Sequence, residues 1–232
     1  MTDRLEEFKK IFFMPPGYVV MNSFSTHILR KMDASERKEA EHLLLEAGEQ
    51  GTSDPRAVQG LAELRSGAAI PLLRRRLPRP EADDTGWVRF PGHIIDTAVA
   101  LWQIDRDPAA FYYPSTVARR ATDPFVLIDA CVALRRFPFS ETIDTVRPLM
   151  RHTEMLVRCH AVQTALFVTG LNTDECAIPD PAIRIMQDNP AVWEDVIAEV
   201  DEAIREIRLP SVSEEMLQHH GITGAGPGER FP

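Results

Sequence analysis

The stretch HIIDTAVALWQI (93–104) is followed 33 residues later by VLIDACVALRRF (126–137), and the two segments read almost alike. Each has apolar residues before an aspartate, then small residues, and then Val-Ala-Leu. A period of this length is typical of helical repeats, in which one helix pair can bury its apolar surface only against the next pair. The repetition therefore predicts a stack of helix pairs.

A small residue followed by leucine recurs through the middle of the chain. The leucines are spaced by 40, 33 and 32 residues, and a polar insertion at 78–92 explains the longer first interval. A small residue lets neighbouring helices approach closely, and helices that are apolar around most of their circumference are covered on more than one side. We therefore predict an all-α fold, an α–α superhelix of stacked antiparallel helix pairs. The pairs are Gly60–Leu61, Ala100–Leu101, Ala133–Leu134 and Ala165–Leu166.

Prolines fall in the second helix of three of these predicted pairs. Pro71 is near the start of its helix, where proline is tolerated. Pro114 and Pro148 lie deeper, and we expect them to kink or split their helices because proline lacks the backbone N–H.

The repeat segments resemble those of the HEAT and HEAT-like repeat family over about residues 54–170. Two units begin with the Asp-Pro pair with which repeats of this family often begin, whereas the last unit has HTEM (152–155) in that place. The arginine that is frequent in the first helix of the family's repeats is matched by Arg158. The resemblance implies a scaffold whose concave face holds other macromolecules. It rests on DPRAVQGLAEL (54–64) with AAIPLLRRRL (68–77), TDPFVLIDACVAL (122–134) with DTVRPLM (144–150), and LVRCHAVQTAL (156–166).

The segments outside the repeats complete the predicted organisation. Asp33 followed by Glu36 predicts a capping box at the start of a helix over 33–47. The segment 190–209 has the periodicity of an amphipathic helix, and the Gly/Pro-rich end of the chain has little to bury. We predict an N-terminal helical cap at 1–50, HEAT-like repeats with an acidic C-terminal helix at 51–209, and a flexible tail at 210–232.

Three cysteines, Cys131, Cys159 and Cys176, form an odd set without a CxxC spacing. This usage predicts reduced core thiols in a cytoplasmic protein and no metal site. We also expect a bacterial-style protein without a cofactor. The chain opens on mixed charge, and its apolar run IFFM (11–14) is stopped by Pro15. We therefore expect neither a secretion signal nor a membrane span.

Motifs that carry enzyme chemistry are absent from the sequence: there is no GxSxG, GxGxxG, phosphate-binding glycine loop or HExxH. Asp96 and Asp129 occupy equivalent repeat positions and could act as paired carboxylates, but a repeated aspartate more often bonds to the backbone. His152, Cys159 and His160 are close in sequence, yet positions 159 and 160 point about 100° apart on a helix. We predict a protein that is not an enzyme and has no catalytic residues.

The charge of the chain is concentrated near its C-terminus. Residues 171–215 hold twelve Asp/Glu and three Arg, a net of −9 that equals the formal charge of the whole protein. One-signed charge steers association and selects the charge of a partner, although a merely solvated helix face would read the same way. We predict a partner-binding surface for a basic protein. Trp87 of the 78–92 insertion is a contact anchor if its side chain is exposed, and a packing residue if it lies against the repeats. The residues of the predicted surface are Glu194, Asp195, Glu199, Asp201, Glu202, Glu206 and Trp87.

Arginine clusters support an alternative, a HEAT-like nucleic-acid-binding protein similar to the helical-repeat DNA glycosylases. Several of these arginines fall in the last turn of a predicted helix, where cations stabilise the helix dipole, and the acidic segment opposes DNA. Nucleic acid is therefore not the expected partner, and we favour an immunity- or antitoxin-like inhibitor that masks a basic effector protein. The arginines in question are Arg74, Arg75, Arg76, Arg119, Arg120, Arg135 and Arg136.

Overall fold

A computed structural model of the chain describes residues 3–13, 26–50, 55–78, 91–175 and 177–219. The described residues form helices joined by short connections, with no strand among them, so the prediction of an all-α fold is confirmed. None of the helices in these ranges is long and apolar enough to cross a membrane. The superhelical arrangement of the pairs stays a prediction.

Two compact units divide the chain, Met1–Ala82 with Asp96–Arg106 and Asp83–Ile95 with Asp107–Pro232. The boundaries predicted at residues 50 and 209 stay predictions. The helices of the first unit are α1 (Asp3–Phe13), α2 (His27–Lys31), α3 (Ala34–Glu49), α4 (Pro55–Leu64), α5 (Ile70–Arg76) and the part of α6 (Pro91–Asp105) that begins at Asp96. Those that lie wholly in the second unit are α7 (Tyr112–Arg120), α8 (Pro124–Leu134), α9 (Ser140–Val146), α10 (Met155–Val168), α11 (Asp180–Arg184), α12 (Pro190–Ile204) and α13 (Val212–His219).

In the first unit, α3 begins with the predicted capping box. The Asp33 carboxylate accepts hydrogen bonds from the backbone N–H groups of Ser35 and Glu36, both at 2.9 Å, and the Glu36 carboxylate accepts one from the Asp33 N–H. These bonds satisfy donors that the first turn of a helix leaves without an intrahelical partner. The capping box sets where α3 starts.

Gly60 of α4 is a point of close approach in the first unit. A Cβ atom at this position would lie 2.6 Å from Cε1 of Phe12 and 2.9 Å from Cδ1 of Leu44. Because such distances are too short for carbon atoms in contact, glycine is what lets α4 pack against these side chains. The neighbouring Leu61 is buried, as the repeat pattern requires.

In the second unit, α8 and α10 form the main helix contact, and their repeat leucines Leu134 and Leu166 are both buried. The Thr164 hydroxyl donates to the backbone carbonyl of Cys131 at 2.8 Å and thereby joins the two helices.

The second unit also contains an aromatic cluster. The ring of Phe111 is centred 6.1 Å from that of Phe137 and 5.7 Å from that of Phe139.

The two deep prolines behave differently. Pro148 splits its predicted helix, since α9 ends at Val146 and a 3₁₀ turn, Pro148–Arg151, follows it. Pro114 lies in the first turn of α7, because a separate 3₁₀ turn, Pro108–Phe111, precedes that helix. The first-turn N–H groups have no intrahelical partner, so proline costs nothing there.

Two segments near the C-terminus differ from their predicted extents. Helix α12 ends at Ile204, five residues before the predicted end, and a turn follows. The first part of the predicted tail forms α13, which begins with the fully buried Val212, and the Val212 N–H donates to the carboxylate of Glu141 at 3.0 Å. Burial of the Val212 side chain holds the start of α13 in place. Residues 220–232 of the predicted tail lie outside the described ranges.

Candidate partner-binding surface

Five of the six carboxylates predicted to contact a partner lie on helix α12, and the sixth, Glu206, lies two residues beyond its end at Ile204. The first turn of α12 is capped by the side chain of Asn189, which accepts from the Ala191 N–H at 3.1 Å. Its apolar stripe packs against α10 and α11 and buries Val196, Ile197 and Val200. The helix therefore presents its carboxylates to its two flanks and to solvent.

Two of the six carboxylates hold α12 against the 3₁₀ turn and the residue before it. Glu194 accepts from Nε and Nη2 of Arg151, each at 2.6 Å, and Asp201 accepts from Arg147 at 2.7 Å. The paired geometry of a guanidinium and a carboxylate gives the first contact both strength and orientation. The hydrogen bond from Arg151 lowers the pKa of Glu194.

Two more of the six are also paired within the chain. Glu199 accepts from Nη1 of Arg184 on α11 at 2.6 Å, and Glu202 pairs with Arg205 at the end of its own helix. Within the described residues, the exposed Asp195 and Glu206 make no ion pair. The six predicted contact residues thus divide into four that are compensated internally and two that remain available to a partner.

Internal pairing reduces the charge of the C-terminal segment but leaves it acidic. Arg136, Arg147 and Arg151 lie outside residues 171–215 and pair with carboxylates inside that segment. Added to the net of −9, these three arginines leave a net of −6. The segment therefore keeps an excess of negative charge, although its exposed residues include Arg205 and Arg208.

Behind α12, the buried guanidinium of Arg158 fastens two connecting segments to α10. Its side chain is 1% exposed, its nitrogens donate to five backbone carbonyls at 2.7–3.4 Å, and its Cζ lies 4.0 Å from the centre of the Trp193 ring. A guanidinium over an aromatic face gains from the ring's negative potential. The family resemblance singled out this arginine, although the sequence alone does not show its partners. The accepting carbonyls belong to His152, Thr153, Ile185, Met186 and Gln187.

A second buried arginine, Arg135, crosses from α8 to α10. Its Nη2 lies 2.9 Å from Nδ1 of His160 and donates to Oε1 of Gln163 at 2.9 Å. Because a guanidinium can only donate, His160 accepts through Nδ1 and carries its proton on Nε2. Burial lowers the pKa of His160, and the charge of Arg135 lowers it further.

The thiols beside this cluster have no nucleophilic character. Burial raises the pKa of Cys131 to about 12 and raises that of Cys159 as well, so both are protonated at neutral pH. A reactive cysteine needs the opposite shift. No group of His, Cys, Asp and Glu in the described part of the chain is placed to hold a metal ion.

Titration of His160 is expected to couple stability to pH. Protonation at Nδ1 would break the bond from Arg135 and place two positive charges side by side. Since the folded state lowers the pKa of this group, the unfolded chain binds more protons between that lowered pKa and about 6.5, and stability falls as pH falls through this window. Denaturant midpoints measured between pH 5 and 7.5 should show this slope.

The matched variant is His160→Asn, whose side-chain oxygen can accept the same hydrogen bond without titrating. It should flatten the pH dependence in this window while leaving the midpoint at pH 7.5 nearly unchanged. An equal slope in the variant and the wild type would contradict the assignment to His160.

The arginines of the nucleic-acid alternative are largely engaged by this chain. Arg74 pairs with Asp105 at 3.1 Å and Arg75 with Glu49 at 2.6 Å. The other described contacts are Arg76 to the Gly48 carbonyl, Arg119 to the Thr145 hydroxyl, Arg135 to His160 and Gln163, and Arg136 to Glu175.

The remaining predicted residues belong to different units or lie outside the described residues. Asp96 belongs to the first unit and accepts from Nε2 of Gln59 at 3.4 Å, whereas Asp129 belongs to the second. Burial raises the pKa of Asp129, and the charge of Asp123 adds to it. Trp87, the predicted contact anchor, lies outside the described residues.

A groove of about 400 Å³ opens between α9 and the end of α12. Its apolar lining is joined by two arginines and two aspartates, so its charges balance and select neither sign of ligand. The lining includes Ile143, Ile204, Ile207 and Leu209 with Asp144, Arg147, Asp201 and Arg205.

The resemblance of the repeat segments to the HEAT-like family rests on the residues quoted above and stays a prediction. No protein-family model, no curated protein and no solved structure matches this chain. The functional proposal below therefore depends on the geometry and charge of the described residues.

Proposed function

We propose that this chain is a protein-binding module without catalytic activity, which binds a basic protein through an acidic surface. The acidic surface consists of the exposed carboxylates of residues 171–206. The observation that carries the proposal is the net of −6 that residues 171–215, which contain this surface, keep after pairing with Arg136, Arg147 and Arg151. The carboxylates are Asp174, Glu175, Asp180, Asp188, Glu194, Asp195, Glu199, Glu202 and Glu206.

Protein is a better partner than nucleic acid for electrostatic reasons. Phosphate recognition needs clustered arginines or lysines that are free to neutralise phosphates, whereas most of the candidate arginines here bond to groups of their own chain. The acidic surface would in addition repel a polyanion. A basic protein is attracted by the same charge, and the attraction raises its association rate.

The biological role that we propose is inhibition, in the manner of immunity and antitoxin proteins that mask an effector. An inhibitor needs a surface complementary to its target and no chemistry of its own. The resemblance of the repeats to compact HEAT-like immunity proteins supports this role.

Charge reversal tests the proposal at the two carboxylates that make no internal pair. The double variant Asp195→Lys/Glu206→Lys should keep its fold, since both side chains are exposed. In pull-downs from a native lysate, the wild type is expected to capture a basic protein at low salt and release it as salt rises. The double variant should retain less than a tenth of it.

The matched control is Glu7→Lys/Glu39→Lys, which makes the same charge change at two exposed positions of α1 and α3 in the first unit. It should capture the partner like the wild type. Capture of neutral or acidic proteins only, insensitive to salt, would overturn the proposal. Retardation of duplex or single-stranded DNA at low salt would favour the nucleic-acid alternative.

A further inference from the structure

Three large aliphatic side chains are exposed within the acidic segment. Leu171 is 50% exposed, and Ile178 and Ile183 are each 53% exposed. Full burial of a side chain of this size is favourable by about 1.5–3 kcal/mol relative to leaving it exposed to water. Their location among carboxylates distinguishes them from an apolar face that simply lacks a neighbour.

The three residues lie on one short stretch of the chain, between positions 171 and 183. Asn172 donates from Nδ2 to the Ala177 carbonyl at 3.4 Å, so Leu171 and Ile178 stand on either side of this closure. Pro179 is the N-cap of α11, which makes Ile178 the residue before the cap and Ile183 the fourth helical residue. These two positions are those of a hydrophobic staple, in which a residue before the cap often packs against the fourth helical residue. We name Leu171, Ile178 and Ile183 the apolar ledge.

The segment that carries the ledge is held by contacts on its other side. Ala182 and Ile185 are fully buried, Gln163 donates to the Ala177 carbonyl at 3.2 Å, and Arg158 donates to the Ile185 carbonyl at 2.8 Å. Ala182 and Ile185 anchor this segment in the core. The exposed side chains of Leu171, Ile178 and Ile183 are therefore not needed to hold it. A ledge fixed in this way costs little ordering entropy when a partner binds.

Charge around the ledge defines what fits it. Exposed carboxylates lie on the same stretch of chain, with Asp180 in α11 and Asp188 after it. The one arginine of α11, Arg184, lies 2.6 Å from Glu199 and 3.6 Å from Asp180. The cation is thus neutralised while carboxylates remain. A partner that covers the ledge must supply apolar side chains flanked by positive charge.

We propose that the apolar ledge binds an amphipathic basic segment of the partner, with aliphatic side chains on Leu171, Ile178 and Ile183 and Lys or Arg side chains over the surrounding carboxylates. This inference rests on the proposed function and deepens it: the acidic surface attracts the partner, and the ledge fixes the register in which it binds. Apolar anchors at the centre of an interface carry most of its binding free energy.

The test uses fluorescence anisotropy with defined peptides of 18 residues. A Leu/Lys peptide patterned as an amphipathic helix is compared with a Ser/Lys peptide of the same charge and with a Leu/Glu peptide. The wild type is expected to bind the Leu/Lys peptide at least tenfold more tightly than the Ser/Lys peptide and not to bind the Leu/Glu peptide.

Variants locate the binding. Ile178→Ser/Ile183→Ser and, separately, Leu171→Ser should weaken Leu/Lys binding at least tenfold and fivefold. The control Phe125→Ser/Val132→Ser removes two exposed apolar side chains of α8 and should change the affinity less than twofold. Circular dichroism checks that each variant keeps its helices.

The possible failures are distinguishable. If the Leu/Lys and Ser/Lys peptides bind equally, or if the α8 control loses as much affinity as the ledge variants, the apolar ledge is not the binding site. The proposal of a basic partner would still stand. Binding of neither cationic peptide overturns the proposed function itself.

Discussion

Replacing Arg158 with methionine is expected to lower the free energy of unfolding by about 4 kcal/mol, a loss that only a few kinds of single substitution produce. Methionine fills much of the same space but donates no hydrogen bond. Five backbone carbonyls would lose the hydrogen bond from the guanidinium, although that of Gln187 also accepts from Nε1 of Trp193 at 2.6 Å. The stack on Trp193 would also be lost. Each buried acceptor left without a partner costs about 1–3 kcal/mol before the structure relaxes.

Urea denaturation followed by far-UV circular dichroism measures this loss. Arg158→Lys is expected to fall between the wild type and the methionine variant, because an ammonium group has three donors and no planar fork. The control is Arg208→Met, at an exposed arginine, where a change within about 0.5 kcal/mol is expected. A loss below about 1 kcal/mol for Arg158→Met would show that the guanidinium does not carry these connections.

Phe111→Ala is expected to cost about 3–5 kcal/mol, because it removes a fully buried ring and leaves a cavity. The ring packs edge-on against Phe137 and Phe139, and such aromatic pairs add about 0.5–1.5 kcal/mol beyond the buried area. The 3₁₀ turn that ends at Phe111 also packs against α13. Loss of the ring should therefore release α13 as well as lower the stability of the unit.

Hydrogen exchange of the α13 amides, together with the denaturation midpoint, measures both effects. Phe125→Ala is the matched control, since this ring is 75% exposed and its removal should change stability by no more than about 0.5 kcal/mol. If the two alanine variants were equally stable, the aromatic cluster would not be a core.

Local features of the fold were accessible from the sequence. The capping box at Asp33 depends on residues three apart, and the close approach at Gly60 depends on the absence of one side chain, so both can be recognised in a short stretch. The end of α12 was placed five residues late, because its apolar pattern continues through Ile207 whereas the backbone turns after Ile204. Periodicity describes a face and does not mark where a helix stops.

The candidate site was accessible only in part. The sequence identifies the carboxylates of α12 as solvent-facing, but it does not show that Glu194 meets Arg151, 43 residues away. Which cation faces which anion is decided by helix packing. For the same reason, the ledge was missed, although Ile178 and Ile183 flank a proline cap at the spacing of a hydrophobic staple, and that spacing was the available indication.

The contacts of Arg158 have a consequence for how this molecule can change over generations. All five acceptors are main-chain oxygens, and every amino acid supplies the same oxygen. The side chains of Met186 and Gln187, which are not buried, can therefore be exchanged without removing these hydrogen bonds, whereas the arginine itself has no equivalent substitute. We expect the proposed binding surface to tolerate changes in its side chains while its attachment to α10 stays the same.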